Sequence, residues 1–181
     1  MRFVKGLFLA LLGVIALALV AGLFLPGQAH VERSVTMNAP PAAIYPIVNG
    51  FGRFNEWSPW AGLDPKTTYT YTGPATGVGA VMTWHSDDPK VGSGRQEIIA
   101  VEPDRAVTMK LDFGGSSPSQ ATMTFVPEGT GSRVTWAFDA DFTGHYFDRY
   151  IGVLFDRFIG PDYEKGLAQL KTLVEAAPAA P

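Results

Sequence analysis

Hydrophobic and polar positions follow three different rhythms along this chain. From Leu7 to Leu25 (LFLALLGVIALALVAGLFL) nineteen consecutive residues carry no charged or strongly polar side chain. As a helix rising 1.5 Å per residue, such a run covers roughly 28 Å, close to the hydrocarbon thickness of a bilayer, so it predicts a transmembrane helix. Beyond it the period drops to two. His30–Met37 alternates weakly and predicts a first strand, stopped by Asn38-Ala39-Pro40-Pro41, whose prolines suit a helix start. Short helices are predicted over Ala42–Asn49 and Phe51–Trp57. Six further strands are predicted at Thr67–Thr72, Val78–Trp84, Arg95–Val101, Ala106–Phe113, Ala121–Val126 and Arg133–Phe142. Within Ala106–Phe113, Val107, Met109, Leu111 and Phe113 share one face while Thr108, Lys110 and Asp112 share the other. One dry face and one wet face are the pattern of an antiparallel sheet. Gly-, Pro- and Asp-rich turns separate the runs.

At His145 the rhythm changes to that of a helix. Phe147, Ile151, Leu154 and Phe158 step by four, three and four, and Tyr163, Leu167, Leu170 and Val174 repeat those steps. The pattern predicts one amphipathic helix of about thirty residues, kinked at Gly160-Pro161 where proline removes a backbone bond. Leu154 and Phe158 are thereby expected to face the sheet. The tail Ala176–Pro181 (AAPAAP) is expected to fray, since nothing apolar anchors it.

Charge turns the apolar run into a topology. Arg2 and Lys5 precede it and Arg33 is the only basic residue soon after it, so the positive-inside bias places the N-terminus in the cytoplasm and the rest across the membrane. A cleaved signal peptide is the alternative, because Gly27-Gln28-Ala29 loosely fits a small-x-small cleavage site. Either way the following domain is expected outside the cytoplasm, periplasmic in a Gram-negative cell. The expected organisation is an anchor over 1–29, a domain over 30–175 and a tail over 176–181. From residue 30 on, twelve basic groups face seventeen acidic ones, a net charge of −5 that argues against a nucleic-acid partner. The chain has no Cys, which excludes disulfides, thiolate catalysis, zinc fingers and Fe–S clusters.

A wide antiparallel sheet needs its apolar face covered, and one C-terminal helix is available to do it. The order of strand, two short helices, six strands and a long helix resembles the SRPBCC superfamily, the helix-grip fold of START lipid-transfer domains, pollen-allergen-like proteins and polyketide cyclases. The resemblance runs from about Val31 to Val174. It rests on VERSVTMNAPPAAIYPIVNGFGRFNEWSPW (Val31–Trp60), GVGAVMTW (Gly77–Trp84), VGSGRQEIIAVEPDRAVTMKLDF (Val91–Phe113), SRVTWAFDADF (Ser132–Phe142) and GPDYEKGLAQLKTL (Gly160–Leu173). It implies an α+β fold, a curved sheet of about seven strands wrapped around the long helix. It decides little about activity, because the superfamily hosts binding, transfer, chaperone-activating and enzymatic members.

Reactive groups are sparse. His85 lies near Asp87 and Asp88, yet that spacing does not converge three metal ligands, and Asp-Asp-Pro is turn material. His145 sits near the helix start, where it could act as a general acid–base or simply cap the helix; His30 trails the membrane segment. Gly92-Ser93-Gly94 and Gly114-Gly115 lack the strand–turn–helix context of a phosphate loop or nucleophile elbow, and read as hairpin loops. Any of Glu97, Glu102, Asp112, Asp139 and Asp141 could point inward as a general acid, but the pattern does not select one. No catalytic motif, metal site or cofactor is expected.

What remains is an apolar interior. Tyr69, Tyr71, Met82, Trp84, Leu111, Phe113, Met123, Phe125, Trp136 and Phe138 supply one face of the sheet, with Phe147, Leu154, Phe155 and Phe158 opposite on the helix. As a set they suit a bulky apolar guest. Trp57 and Trp60 fit either a rim or the core. The expected function is binding of a hydrophobic small molecule, a lipid or polyketide-like compound, by a membrane-tethered domain. A cyclase- or dehydratase-type enzyme and a protein-interaction module are the two alternatives the resemblance leaves open.

Overall fold

A computed structural model describes residues 2–115 and 117–176. Residues 177–181, most of the expected tail, lie outside them. The chain opens with helix α1 (Arg2–Gly22), of which Phe3–Gly22 is long and apolar enough to cross a membrane and is not buried against the rest of the chain. Strand β1 (Gln28–Met37) follows, then helix α2 (Pro41–Val48), begun by proline in its first turn. The second predicted short helix is only a 3-10 turn, Phe54–Glu56, in an irregular segment otherwise held by the buried Phe51, Phe54 and Trp57.

Six more strands follow: β2 (Thr68–Thr72), β3 (Val81–His85), β4 (Ser93–Glu102), β5 (Ala106–Asp112), β6 (Ser119–Glu128) and β7 (Gly131–Asp141). With β1 they form one antiparallel sheet in the order β1-β7-β6-β5-β4-β3-β2. Sequential neighbours pair as hairpins, and β1 closes onto β7 from Gln28↔Asp141 to Met37↔Ser132. The β6–β7 hairpin is tight because Gly129 takes a φ of 61° that a side-chain-bearing residue resists. A register shift between Ile98 and Ala100 in β4 inserts an extra residue, the kind of bulge that bends a sheet.

The final helical region departs from expectation. It is two helices, α3 (Asp148–Gly152) and α4 (Phe155–Ala176), so Ala176 ends a helix rather than beginning the tail. The break lies at Val153–Leu154, beside Gly152, which packs so closely on Phe142 that a Cβ there would sit 2.7 Å from Cε2. Pro161, the expected kink, falls inside α4, which runs through it. Within α4 the inward phase is that of its C-terminal half. Phe155 and Ile159 turn toward the core ahead of Tyr163, Leu167, Leu170 and Val174, and Phe155 meets Phe138 and Phe142 edge-on at 5.4 and 5.6 Å. Phe147, Ile151, Leu154 and Phe158 are left exposed, by 72, 54, 43 and 58%. The inward orientation expected of Leu154 is thus corrected, whereas Phe158, although exposed, still borders the space between helix and sheet.

α4 is clamped to the first strand by a guanidinium. Arg33 Nη1 donates to Asp156 Oδ1 at 2.8 Å and Nε to Glu164 Oε1 at 2.7 Å, reaching across the face of Gly160, where a Cβ would collide with it. Further along, Gly166 lets the helix settle onto Trp136 and Pro59, 2.8 and 3.0 Å from where its Cβ would be.

Candidate functional site

Between the concave face of the sheet and α4 lies a cavity of about 280 Å³, at the lower edge of the range for small-molecule sites. Alternation along the strands builds its wall. Tyr69, Met82, Trp84, Leu111 and Phe113 line it from β2 to the end of β5, and Trp136 and Phe138 from β7. From the helix come Phe158 and Ile159. Phe113 and Phe158 are both more than half exposed, so they stand at its mouth, together with Val91 and Lys90 of the β3–β4 loop.

Six residues expected in this wall are elsewhere. Met123 and Phe125 are on the apolar face of β6 but buried, at 0 and 2% exposure, in solid core where α2 covers the sheet; Tyr45 meets Phe125 edge-on at 6.4 Å. Tyr71, on the edge strand β2, is half exposed, and Leu154 lies on the outer side of the break. Phe147 is likewise outside, and Phe155 packs into the core beside the cavity.

The closed end is an aromatic block. Tyr163 stacks on Trp136 at 3.9 Å with ring planes 10° apart, and Trp57 and Trp60 meet Trp136 edge-on at 5.3 and 5.9 Å. Trp57 is therefore core, while Trp60 lines the cavity and donates from Nε1 to Asp162 Oδ2 at 3.0 Å. Burial raises the Tyr163 phenol far above its ordinary pKa, with the Asp139 charge adding to the effect, so it is a neutral hydroxyl at any physiological pH.

Polar groups at the wall are few: Asn55, Ser58, Lys90, Gln96 and Asp162 beside the tyrosines. Asp162 is the cavity's one carboxylate among the described residues, and sequence reasoning missed it because it directly follows the proline taken for a kink. Gln96 is buried at 6% exposure. Its signal was present, since alternation puts it on the face of Ile98 between Arg95 and Glu97.

None of the five acids singled out in the sequence lines the cavity. Glu97 pairs with Arg95 at 2.6 Å, Asp112 accepts from the Gly114 amide, Asp141 accepts from Thr143, and Asp139 holds His30 Nδ1 at 2.7 Å. That bond to Asp139 raises the His30 pKa. Glu102 ends β4 at the surface. His85 contacts Ser93 Oγ at 2.7 Å and lies 3.6 Å from Asp87, in a shallow polar surface depression with Asp64 and Ser86. His145 lies 4.0 Å from Asp148, away from the cavity. Among the described residues no group of three or more His, Asp or Glu is arranged to hold a metal ion. Of the expected hairpin loop Gly92-Ser93-Gly94, only Gly92 lies in the turn, with a left-handed φ of 61°; Ser93 and Gly94 already belong to β4, Gly94 against the Trp84 indole.

This architecture is shared. The chain is similar to norcoclaurine synthase from Thalictrum flavum, solved in complex with dopamine and hydroxybenzaldehyde, with 11% identity and a TM-score of 0.64 over 84% of this chain and 90% of that one. It is similar to Ara h 8.0201 (14% identity, TM-score 0.59, 83% and 100% covered). It also resembles an uncharacterised protein from Rhizobium leguminosarum (18% identity, TM-score 0.58, 83% and 96% covered). At such identities the likeness is one of fold. No curated protein matches the chain. The family described as polyketide cyclase / dehydrase and lipid transport matches residues 28–175, the whole sheet and all but the last residue of α4. The chain belongs to that family, within the SRPBCC superfamily.

Proposed function

We propose that the protein is a membrane-tethered carrier that holds a hydrophobic small molecule, a lipid or polyketide-like compound, between sheet and α4, on the extracytoplasmic side of the membrane. The supporting observation is the cavity itself: eight of the fourteen residues singled out for an apolar wall do line it, and among the described residues Asp162 is its one carboxylate. Family membership supports binding of hydrophobic ligands at the level of the superfamily. The apolar α1 with Arg2 and Lys5 at its start supports the tether and its orientation.

Energetics bound the affinity. A guest burying about 300 Å² of apolar surface gains roughly 7 kcal/mol at 25 cal/mol per Å². Association costs take back several of these, leaving about micromolar binding with broad specificity. In nanodisc-held full-length protein, an apolar fluorescent probe should bind saturably and be displaced by fatty acids or polycyclic compounds. Leu111→Trp should fill the cavity and abolish that component while leaving the unfolding transition in place. Met123→Trp is no substitute, since Met123 sits in packed core. Saturable uptake that survives Leu111→Trp, or no saturable uptake across a broad lipid panel, refutes the carrier reading.

A further inference from the structure

Among the described residues beyond the N-terminal apolar run that ends at Leu25, the segment from Phe147 to Phe158 is the one place where exposed large apolar side chains run in sequence. Phe147, Ile151, Val153, Leu154 and Phe158 are each 43–72% exposed within twelve residues, whereas the other exposed apolar groups of the domain, such as Leu63, Val78 and Val126, are scattered singly. Scattered groups need no partner, but a continuous run does.

The ends of this ridge are informative. At one end, the Tyr146 and Tyr150 hydroxyls donate to the backbone carbonyls of Leu19 and Ala18 in α1. Those carbonyls lie about 4.5 and 6 Å below the end of α1 at Gly22, counting 1.5 Å per residue. That is the depth, roughly 5–10 Å, at which interfacial helices bury their apolar side, and tyrosine favours the same layer. At the other end, Phe158 stands at the mouth of the cavity with Phe113. The ridge therefore connects the membrane segment to the opening of the binding site. Its charges do not oppose a bilayer surface, Asp148 and Asp156 being balanced by Arg149 and Arg157. Asp148 accepts from Ser117 and Asp156 is bound by Arg33, while Arg157 makes no ion pair among the described residues.

We infer that α3 and the first turn of α4 dock on the outer leaflet of the bilayer that holds α1, and that the cavity mouth opens into that leaflet. The guest then enters from lipid rather than from water. This rests on the reading of α1 as a membrane anchor, and it adds a second contact between domain and membrane.

The absence of Cys makes the test direct. Ile151→Cys, Phe158→Cys and, as a control on the exposed side of β6, Val126→Cys are each labelled with an environment-sensitive fluorophore. The full chain is reconstituted in phosphatidylethanolamine–phosphatidylglycerol vesicles. Docking predicts that brominated lipids quench the labels at 151 and 158 but not at 126. It also predicts that iodide in the outer buffer quenches 151 and 158 at least three-fold less than 126. Equal iodide quenching at all three sites overturns the proposal. So does protection that disappears when the protein is diluted in lipid, which would mark a second copy of the chain as the covering partner, and so does protection from both quenchers at every dilution. Carbonate extraction reads the anchor separately: a chain that resists extraction yet shows equal iodide quenching refutes docking and leaves the anchor standing. Saturable probe uptake tests the carrier reading independently of either.

Discussion

The apolar stripe after His145 is one repeated pattern with two fates. Phe147, Ile151, Leu154 and Phe158 share their spacing with Tyr163, Leu167, Leu170 and Val174, yet the first four are 43–72% exposed and the second four at most 5%. Periodicity states that a helix has an apolar face; it does not state what covers that face. For the second set the cover is the sheet, through Trp136 and β1. For the first set there is no cover within the described chain. The difference is written in the junction: Phe158 to Tyr163 is a step of five, which leaves the two halves about 140° out of phase at roughly 100° per residue. A single helix cannot point both inward. The C-terminal half carries the core, its phase extends back through Ile159 and Phe155, and the N-terminal half faces out.

The largest effect that separates the halves is the loss of a buried methyl-bearing side chain. Leu170→Ala, at 0% exposure, should destabilise by about 2–5 kcal/mol, and Leu167→Ala by a similar amount. Leu154→Ala, spaced identically in the first half, should stay within about 0.5 kcal/mol. Chemical unfolding of the three variants side by side is the measurement. Comparable losses at 154 and 170 would mean that the ridge is packed. Phe158→Ala belongs with Leu154 in stability, well below the roughly 3–5 kcal/mol of a packed phenylalanine, but should weaken probe uptake because its ring stands at the cavity mouth.

Much of the fold was legible because sheets announce themselves one face at a time. Every strand was foreseen within a few residues, since Val107-Met109-Leu111 or Val134-Trp136-Phe138 leaves no other pairing of dry and wet faces, and Pro41 marked the start of α2. Strand alternation could not distinguish wall from core. Met123 and Leu111 are equivalent in pattern, and only the placement of α2 over one end of the sheet makes the first core and the second cavity. Asp162 and Trp60 were out of reach for a different reason: their partnership spans 102 positions and joins an irregular segment to a helix. Pro161 misled because a proline early in a helix forfeits one bond to the preceding turn, a loss packing can offset, whereas the true break at Val153–Leu154 has no proline and follows from the contact of Gly152 with Phe142.

The two helix glycines sharpen the comparison at intermediate scale. Gly166, in the buried half, leaves no room for a methyl group between Trp136 and Pro59, neither of which can give way easily. Gly166→Ala should cost about 1–2 kcal/mol, overpacking outweighing the gain of up to about 1 kcal/mol in helix propensity. Gly160, at the junction, is opposed only by the end of the Arg33 side chain, which can swing aside. There the propensity gain is offset by the restriction on a residue preceding proline, and Gly160→Ala should stay within about 0.5 kcal/mol. Thermal unfolding in one detergent checks both; a larger loss at 160 than at 166 would contradict the packing described.

Alkaline pH should single out the buried half through Tyr163. Its folded pKa is raised, so the neutral phenol stabilises the fold fully below the unfolded value of about 10 and that contribution is lost as pH climbs above it. The unfolded chain gains at most about 1.4 kcal/mol per pH unit from ionising this group. Between pH 9 and 11 the midpoint of unfolding should fall, and Tyr163→Phe should flatten the drop without altering stability at pH 7, because the hydroxyl has no side-chain partner among the described residues. An unchanged alkaline slope in Tyr163→Phe would assign the drop to other groups.

The smallest expected effect lies at the junction itself. The Arg33 guanidinium ties Asp156, in the first turn of α4, to β1, and its hydrogen bond holds the Asp156 carboxyl below its ordinary pKa. A lowered folded pKa means the contribution is present above the unfolded value near 3.8 and is lost as pH falls through the folded one. The pair is exposed at Asp156, so the loss should be local rather than global. Hydrogen exchange of the amides at 157–160, corrected for its intrinsic pH dependence, should accelerate between pH 5 and 3, while the amides around Leu167 and Leu170 do not change. Asp156→Asn should show the faster exchange at both pH values. If acid loosens both halves of α4 together, the clamp is not the hinge between them, and the division of the stripe at residues 158–163 is not a division in stability.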